Sequence, residues 1–208
     1  MKEPQDEAQV QEATEALRAA VAFIDAHTRG LEMPGDPHSR IALGTLDLAM
    51  EYQAGALLLA QHGLFAPVYA LLRCIVEATT RGMWLANCAT EAEFEAFKHN
   101  NFGGKTQYSM IDEIGVKFGR EAGVLREMHK QSWRVLNDFT HSGIGHVSRR
   151  TGEDFTGPNY PVAEVVQTLR VTSAMGLIAA IQLCELSGHQ DVGRQLLAFA
   201  EEHKLPSA

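Results

Sequence analysis

Apolar residues recur every three to four positions along most of the chain, which is the period of an amphipathic α-helix. The strict alternation expected of half-buried strands does not stand out. Glycine and proline, which break helices, cluster in residues 30–37, 100–104 and 142–160. The pattern therefore predicts helices over residues 7–26, 39–61, 66–87, 90–99, 108–118, 121–141, 161–186 and 191–203.

Composition agrees with helices packed on helices. Of the 208 residues, 45% are hydrophobic but only 7% are aromatic, and neither internal repeats nor low-complexity tracts stand out. We predict an all-α fold, a single-domain bundle of six to eight helices over residues 1–208. Residues 1–6 are expected to be a flexible N-terminus and residues 142–160 a long loop, a feature that is often functional in a compact domain.

The helix predicted over residues 66–87 carries Arg73, Glu77, Arg81 and Trp84 within a sector of about 80°. Apolar residues occupy much of the remaining circumference, so this helix is expected to be mostly enclosed. Glu77 lies one turn from each arginine and can pair with both. The cluster is either a structural ion ladder between packed helices or an anion site in which Glu77 orients Arg73 or Arg81.

The helix predicted over residues 121–141 places Arg134 and His141 seven residues apart, on nearly one line along its surface. A fixed cation beside a titratable imidazole suits phosphate chemistry, because one group holds anionic oxygen while the other moves a proton. This line lies opposite an apolar side. It is either an ordinary solvent face or part of a groove completed by another helix or subunit. The apolar side comprises Leu125, Met128, Leu136 and Phe139.

Four more residues extend this candidate site. Lys130 falls on the same polar line, and Asn137 lies within about 60° of it. His146 and Arg149, just inside the glycine-rich segment, either add cationic groups to the site or keep a polar loop solvated.

The net charge of −8 argues against binding nucleic acid over the whole surface. Residues 117–150 nevertheless hold seven basic residues against three acidic ones, a local charge of +4, so the remainder carries −12. This asymmetry permits a local anion site within an acidic protein. A solvated helix face of mixed charge is the alternative.

Several classes of site are not expected. The nine histidines form no pair with helical metal-ligand spacing, and the glycine pairs follow no strand, so we expect neither a metal nor a cofactor. The three cysteines are widely spaced in apolar sequence, which predicts buried, reduced thiols. Neither of the longest apolar stretches approaches the roughly 20 residues of a membrane span, and the acidic N-terminus lacks a signal core, so we expect a cytoplasmic protein without a membrane segment.

Arg134 and His141, spaced as Arg-x6-His with polar Asn137 between them, resemble the Arg-x4–6-His motif of HEPN-like proteins. Residues 71–84 and 133–143 also look like bacterial families of unknown function related to abortive-infection AbiV-type proteins. This second resemblance covers most of residues 60–185. The HEPN resemblance implies an RNA-directed toxin or phage-defence nuclease that works without metal, as a homodimer in which two motifs meet. A cognate antitoxin or other partner protein is then expected.

The same resemblance implies residue roles. Arg134 would hold the scissile phosphate, and His141 would assist proton transfer as a ribose 2′-hydroxyl attacks, leaving a cyclic phosphate and a free 5′-hydroxyl. Val135 occupies the position directly after the arginine, where the common pattern has a polar residue. Non-catalytic HEPN-like domains also exist. The alternative is therefore a regulatory or assembly protein that binds a small anionic ligand or a partner protein through Arg73, Glu77 and Arg81.

Overall fold

The computed structural model describes residues 4–101, 104–119 and 122–205, apart from the side chains of residues 4, 122–124, 128 and 131. These described residues form α-helices and one short 3₁₀ helix, with no strand, so the prediction of an all-α bundle is confirmed. The α-helices in chain order are α1 (Pro4–Thr28), α2 (Pro37–Gln61), α3 (Phe65–Asn87), α4 (Glu91–Lys98), α5 (Gln107–Phe118), α6 (Ala122–Thr140), α7 (Ile144–Val147), α8 (Val162–Ser187) and α9 (Gln190–Glu202).

The predicted count of six to eight helices is not confirmed. The described parts of the chain contain nine α-helices and the 3₁₀ helix Ser148–Arg150. The excess lies in the predicted long loop, residues 142–160, where α7 and the 3₁₀ helix fold before an isolated bridge joins Thr151 to Thr156. At the other end, α1 already begins at Pro4, within the segment expected to be flexible, and residues 1–3 lie outside the described residues.

Local signals fix several helix starts. At α2, the Asp36 side chain accepts a hydrogen bond from the Ser39 backbone N–H at 2.9 Å, and Pro37 occupies the first helical position. At α4, Thr90 and Glu93 form a reciprocal capping box. Such caps satisfy backbone groups that a helix end otherwise leaves unpaired, so these starts depend little on tertiary packing.

Helix α3 lies at the centre of the bundle, because α2, α5, α6 and α8 all pack against it. Its buried residues surround most of its axis and include Tyr69, Ile75 and Leu85. The expectation that this helix is mostly enclosed is confirmed. Its charged residues occupy the narrow sector of the helix surface that remains, beside α6.

The second central helix, α8, contacts α1, α2, α3 and α9. Among the described helices it alone is long and apolar enough to cross a bilayer by length and composition, with a mean hydropathy of 1.4 over its most apolar window. The sequence prediction overlooked this helix as a candidate span. Since 67% of that window is buried inside the protein, its apolar character is that of a core helix.

A close contact between α2 and α8 sets their separation. Gln53 of α2 is buried, and its side-chain amide donates to the backbone carbonyls of Thr172 and Ser173 at 3.2 and 3.3 Å. Gly176 leaves the room for this side chain, because a Cβ atom there would lie 2.1 Å from Gln53 Cδ. The buried amide is thus partnered only as long as position 176 carries no side chain.

We expect Gly176→Ala to lower the free energy of unfolding by about 1–3 kcal/mol, the usual cost of overpacking a core. Gly44→Ala is the matched control, because an added Cβ there meets nothing within 4 Å on the exposed side of α2. It is expected to raise the free energy of unfolding by up to about 1 kcal/mol through helix propensity. Denaturant unfolding of both variants measures the difference. Equal stability of the two would contradict the close approach.

Candidate functional site

Arg73 of α3 joins the two polar clusters that the sequence treats separately. Its Nη1 atom lies 2.7 Å from His141 Nε2, just beyond the end of α6, although 68 residues separate the two in sequence. The Arg73 Nε atom donates to Glu77 Oε1 at 2.9 Å, and the guanidinium carbon lies 5.0 Å from the centre of the Trp133 ring. One arginine therefore contacts an imidazole, a carboxylate and an indole.

The Arg73–His141 hydrogen bond defines the chemical state of the imidazole. A guanidinium has only N–H donors and stays protonated, so Nε2 of His141 must supply the lone pair. His141 is therefore neutral in this arrangement and carries its proton on Nδ1. A neutral imidazole with its lone pair on a surface-exposed nitrogen is the form that a general base requires.

Glu77 pairs along α3 with both arginines, as the sequence predicts. Its two carboxylate oxygens lie 2.9 Å from Arg73 Nε and 3.4 Å from Arg81 Nη2. The side chains of Arg73 and Glu77 are only 19% and 20% exposed, so the pair lies largely within the protein. The carboxylate offsets part of the positive charge, and it holds the guanidinium of Arg73 toward α6.

Trp84, the fourth member of that cluster, is buried away from the solvent. Its indole N–H donates to Glu113 Oε2 of α5 at 2.6 Å. Lys105 pairs with both Glu113 and Glu93, so the start of α4, the start of α5 and the end of α3 are tied together. Trp84 thus helps to hold α5 against α3.

The polar line of α6 faces away from the core, as predicted. Leu125, Leu136 and Phe139 of the apolar side are buried, and the Met128 side chain lies outside the described residues. Arg134 and Lys130 are exposed, and Asn137 is half-buried. Within the described parts of the chain, Arg134 and Lys130 make neither an ion pair nor a side-chain hydrogen bond, so both charges remain available to a ligand or a partner surface.

The C-terminus of α6 holds His141 in place. The helix ends at Thr140, and Ser142 adopts a left-handed conformation with a φ of 54°. The Gly143 N–H then donates back to the carbonyl of Asp138 at 2.7 Å, the backbone bond that closes a Schellman turn. His141 therefore stands at a rigid helix end beside α3.

Asp138 also fixes the corner between α6 and α7. Its Oδ2 atom accepts a hydrogen bond from the Gly145 N–H at 2.9 Å. A Cβ atom would lie 2.1 Å from Asp138 Oδ1 if added at Gly143, and 2.4 Å from Oδ2 if added at Gly145. The sequence prediction counted these glycines as loop residues, whereas they permit the backbone to pack against a carboxylate.

His146 and Arg149 are held elsewhere. His146 donates from Nδ1 to the carbonyl of Phe139 at 2.9 Å, and Arg149 forms a two-point ion pair with Glu164 of α8, at 2.6 and 2.7 Å. Their recorded contacts do not include Arg73 or His141. The expectation that they add cations beside His141 thus finds no support in the contacts of the described residues.

The local surplus of positive charge is also smaller than the sequence count implies. Arg126 pairs with Asp112 and Arg149 with Glu164, two acids that lie outside residues 117–150. Lys117, Lys130, Arg134 and Arg150 stay exposed. Arg120 lies outside the described residues. The cationic surface is therefore confined largely to α6 and its two ends.

Trp133 and His129 support the site, and the sequence prediction gave neither a role. Their rings stack with centroids 4.6 Å apart, so Arg73, Trp133 and His129 form a run of contacts leading into the protein. The His129 side chain is buried, and burial lowers its pKa below the usual value, an effect that Asp112 opposes. The spacing of His129 and Trp133, one helical turn, was the available signal.

Among the described residues, no group of three His, Cys, Asp or Glu side chains has an arrangement that could hold a metal ion. Cys184 is buried, and desolvation raises its pKa to about 11, whereas Cys74 and Cys88 are only half-buried. The prediction of buried thiols is thus correct for Cys184 alone.

Residues 46–205 match a family of unknown function, DUF6988. The chain belongs to this family. The matched region runs from within α2 to the residues after α9, so it contains all the helices that build the Arg73–His141 contact. No curated protein and no solved structure matches the chain significantly. Because the function of DUF6988 is unknown, membership of the family assigns no activity to this site.

We expect the two ring nitrogens of His141 to report the Arg73 hydrogen bond. In isotope-labelled protein above the titration range of the imidazole, their chemical shifts should indicate a proton on Nδ1. Arg73→Met removes the donor and should move the shifts toward those of His62, which is exposed at the end of α2. Unchanged shifts in the variant would contradict the contact.

The buried imidazole of His129 is expected to make stability fall at acid pH. Because its pKa is lowered in the folded protein, the unfolded chain binds this proton more readily. Its contribution to stability is complete above about pH 6.5 and is lost as the pH falls below that value. His129→Phe keeps an aromatic ring against Trp133 but should show a smaller loss between about pH 7 and pH 5 in denaturant unfolding. His99→Phe, at an exposed helix end, is the control and should retain the wild-type loss.

Proposed function

We propose that this DUF6988 protein is a HEPN-like, RNA-directed protein that acts as a homodimer and cleaves RNA without a metal ion. The observation that supports it best is the hydrogen bond between Arg73 and His141, which joins a fixed cation to a neutral imidazole on an exposed surface. Arg134, exposed on the same helix as the histidine, supplies a second cation that has no recorded partner within the described residues. Two cations and a base are the groups that phosphodiester cleavage requires.

In the proposed reaction, the arginines hold the phosphate and His141 moves a proton. Nε2 leaves the Arg73 guanidinium and accepts the proton of the ribose 2′-hydroxyl as the 2′-oxygen attacks phosphorus. The guanidinium N–H released by this exchange is then free to donate to a phosphate oxygen. The bond from phosphorus to the 5′-oxygen breaks, and the proton that His141 accepted passes to that oxygen. The products are a cyclic phosphate and a 5′-hydroxyl.

The proposed dimer brings the polar lines of two α6 helices together. Arg134 and His141 point away from the core of their own subunit, so a single copy presents only half of an enclosed site. Asn137 would then line the cleft between them. A cytoplasmic toxin or phage-defence role, with an antitoxin or other partner protein, belongs to the same proposal.

A second candidate function is non-catalytic. Glu77 contacts both Arg73 and Arg81, and Arg73 already donates to His141, so these charges form a partnered ladder. Such a ladder suits a regulator or assembly protein that binds a small anionic ligand or a partner protein through Arg73, Glu77 and Arg81. Half-buried charge pairs of this kind can fix how α3 packs beside α6 without taking part in catalysis.

We expect purified protein to cleave single-stranded RNA in the presence of EDTA, leaving cyclic phosphate ends. His141→Ala should lower the cleavage rate by about a hundredfold or more, because it removes the base. Arg134→Ala should lower it by a similar factor through loss of phosphate binding. The matched controls are His62→Ala and Arg40→Ala, which remove an exposed histidine and an exposed arginine from α2 and should leave the rate unchanged.

Sedimentation analysis in parallel should show a dimer for the wild-type protein and for all four variants. If the wild-type dimer leaves every RNA intact, the catalytic proposal is wrong. Equal cleavage by His141→Ala and the wild type would contradict the proposal that His141 is the base. A monomer that cleaves RNA would contradict the shared site.

A further inference from the structure

A groove of about 710 Å³ opens between α3, α6 and α8, on the side of α6 away from its polar line. Helices α6 and α8 both pack on α3, which forms the floor through Tyr69, Leu72 and Val76. Val135 of α6 and Val171 of α8 contribute to opposite walls. This volume lies within the range of about 300–1,000 Å³ found for sites that hold small molecules.

The floor of the groove contains a buried polar atom with no recorded partner. Tyr69 is only 1% exposed, and among the described residues its hydroxyl makes no hydrogen bond. A weak contact with the Thr168 side chain opposes the rise in the pKa of Tyr69 that burial causes, but it falls short of hydrogen-bond geometry. The phenol therefore stays protonated near neutral pH, and its buried O–H lacks a hydrogen-bond acceptor among the described residues.

Two further unpartnered polar atoms belong to rings that lie close to Tyr69, although neither residue lines the groove. Nε2 of His146 and the hydroxyl of Tyr160 are both buried without a recorded partner in the described parts of the chain. Their rings lie close to that of Tyr69, with centroids 6.4 and 5.4 Å away. A buried polar group without a partner costs about 1–3 kcal/mol. Such a group beside an open groove indicates a place for a polar atom of a ligand.

The lining carries the carboxylates of Glu127 and Glu164, and its charges argue against an anionic ligand. Arg149 is the sole basic residue among the described lining residues, and Glu164 occupies its guanidinium at two points. A carboxylate entering the groove would have to displace Glu164 or remain unpaired in an apolar site, and both are costly. A carbonyl or hydroxyl oxygen needs only the Tyr69 O–H.

We propose that the groove between α3, α6 and α8 binds an uncharged, mostly apolar small molecule whose one carbonyl or hydroxyl oxygen pairs with Tyr69. Apolar walls bury the body of the ligand, and the phenol fixes its orientation. The site is independent of the RNA-directed function proposed above, because it uses none of Arg73, Arg134 or His141.

The test uses full-length protein and the neutral fluorescent probe N-phenylnaphthylamine, displaced by decanol or by decanoate, which differ mainly in the charge of the head group. Saturable probe binding is expected, with decanol competing at least about tenfold more strongly than decanoate at neutral pH. Tyr69→Phe removes only the hydroxyl. It should lower the affinity for decanol by about threefold to tenfold while leaving the affinity for the probe unchanged.

Val135→Trp should lower probe affinity by about tenfold or more, because the larger side chain fills the groove. Val116→Trp, on the exposed side of α5 and outside the groove, is the matched control and should bind the probe as the wild type does. Ala163→Trp fills the groove from α8 and replaces Val135→Trp should that variant fail to fold.

The proposal fails if the wild-type protein binds neither the probe nor decanol saturably. If decanoate displaces the probe as strongly as decanol does, the proposal that the ligand is uncharged is wrong. If the wild-type protein binds no probe and the Val135→Trp variant no longer self-associates, the groove is occupied by a second copy of the chain and the proposal is wrong. RNA cleavage measured on the same variants reports on the other site, so failure here leaves that proposal unaffected.

Discussion

The enclosure of α3 is the constraint on which the rest of the structure depends. Four helices pack around it, and each covers a part of its apolar circumference. A charged side chain on such a helix must either reach solvent through the one open sector or find a partner inside. Arg73, Glu77 and Arg81 do both, since they pair with one another along the sector that borders α6.

The same constraint gives α6 two different faces, an apolar one toward α3 and a polar one toward the solvent. Leu136 and Phe139 pack toward α3 and line the groove, while Arg134 faces the solvent and Trp133 contacts Arg73. Any displacement of α6 relative to α3 would therefore alter the width of the groove and the Arg73–His141 distance together. The two surfaces are chemically independent but share one rigid element.

Local features of the fold were accessible from the sequence because local interactions determine them. The capping box at Thr90 and the reach of Glu77 to arginines one turn away depend only on helix geometry. The position of Arg134 on the solvent side of α6 follows from the apolar residues, which recur along the opposite side of the same helix. The Arg73–His141 contact was not accessible, because it depends on how α3 and α6 dock across 68 residues.

The segment over residues 142–160 shows where tertiary contacts depart from what the sequence pattern suggests. Glycine is usually read as a helix breaker, but Gly143 and Gly145 are needed where the chain passes close to Asp138. The chain therefore folds into two short helices over residues 144–150 before it continues as irregular structure. The carbonyl of Phe139 in α6 holds His146, and the carboxylate of Glu164 in α8 holds Arg149.

The corner at Asp138 also bears on how this sequence can change over time. The carboxylate occupies the space that a side chain at position 143 or 145 would need, and it accepts the backbone N–H of Gly145. A replacement at either glycine would be tolerated only after residue 138 had become smaller, and a smaller residue there would leave the Gly145 N–H without its acceptor. The two glycines are therefore each coupled to Asp138, so a replacement at position 143 or 145 should be accompanied by a replacement at position 138.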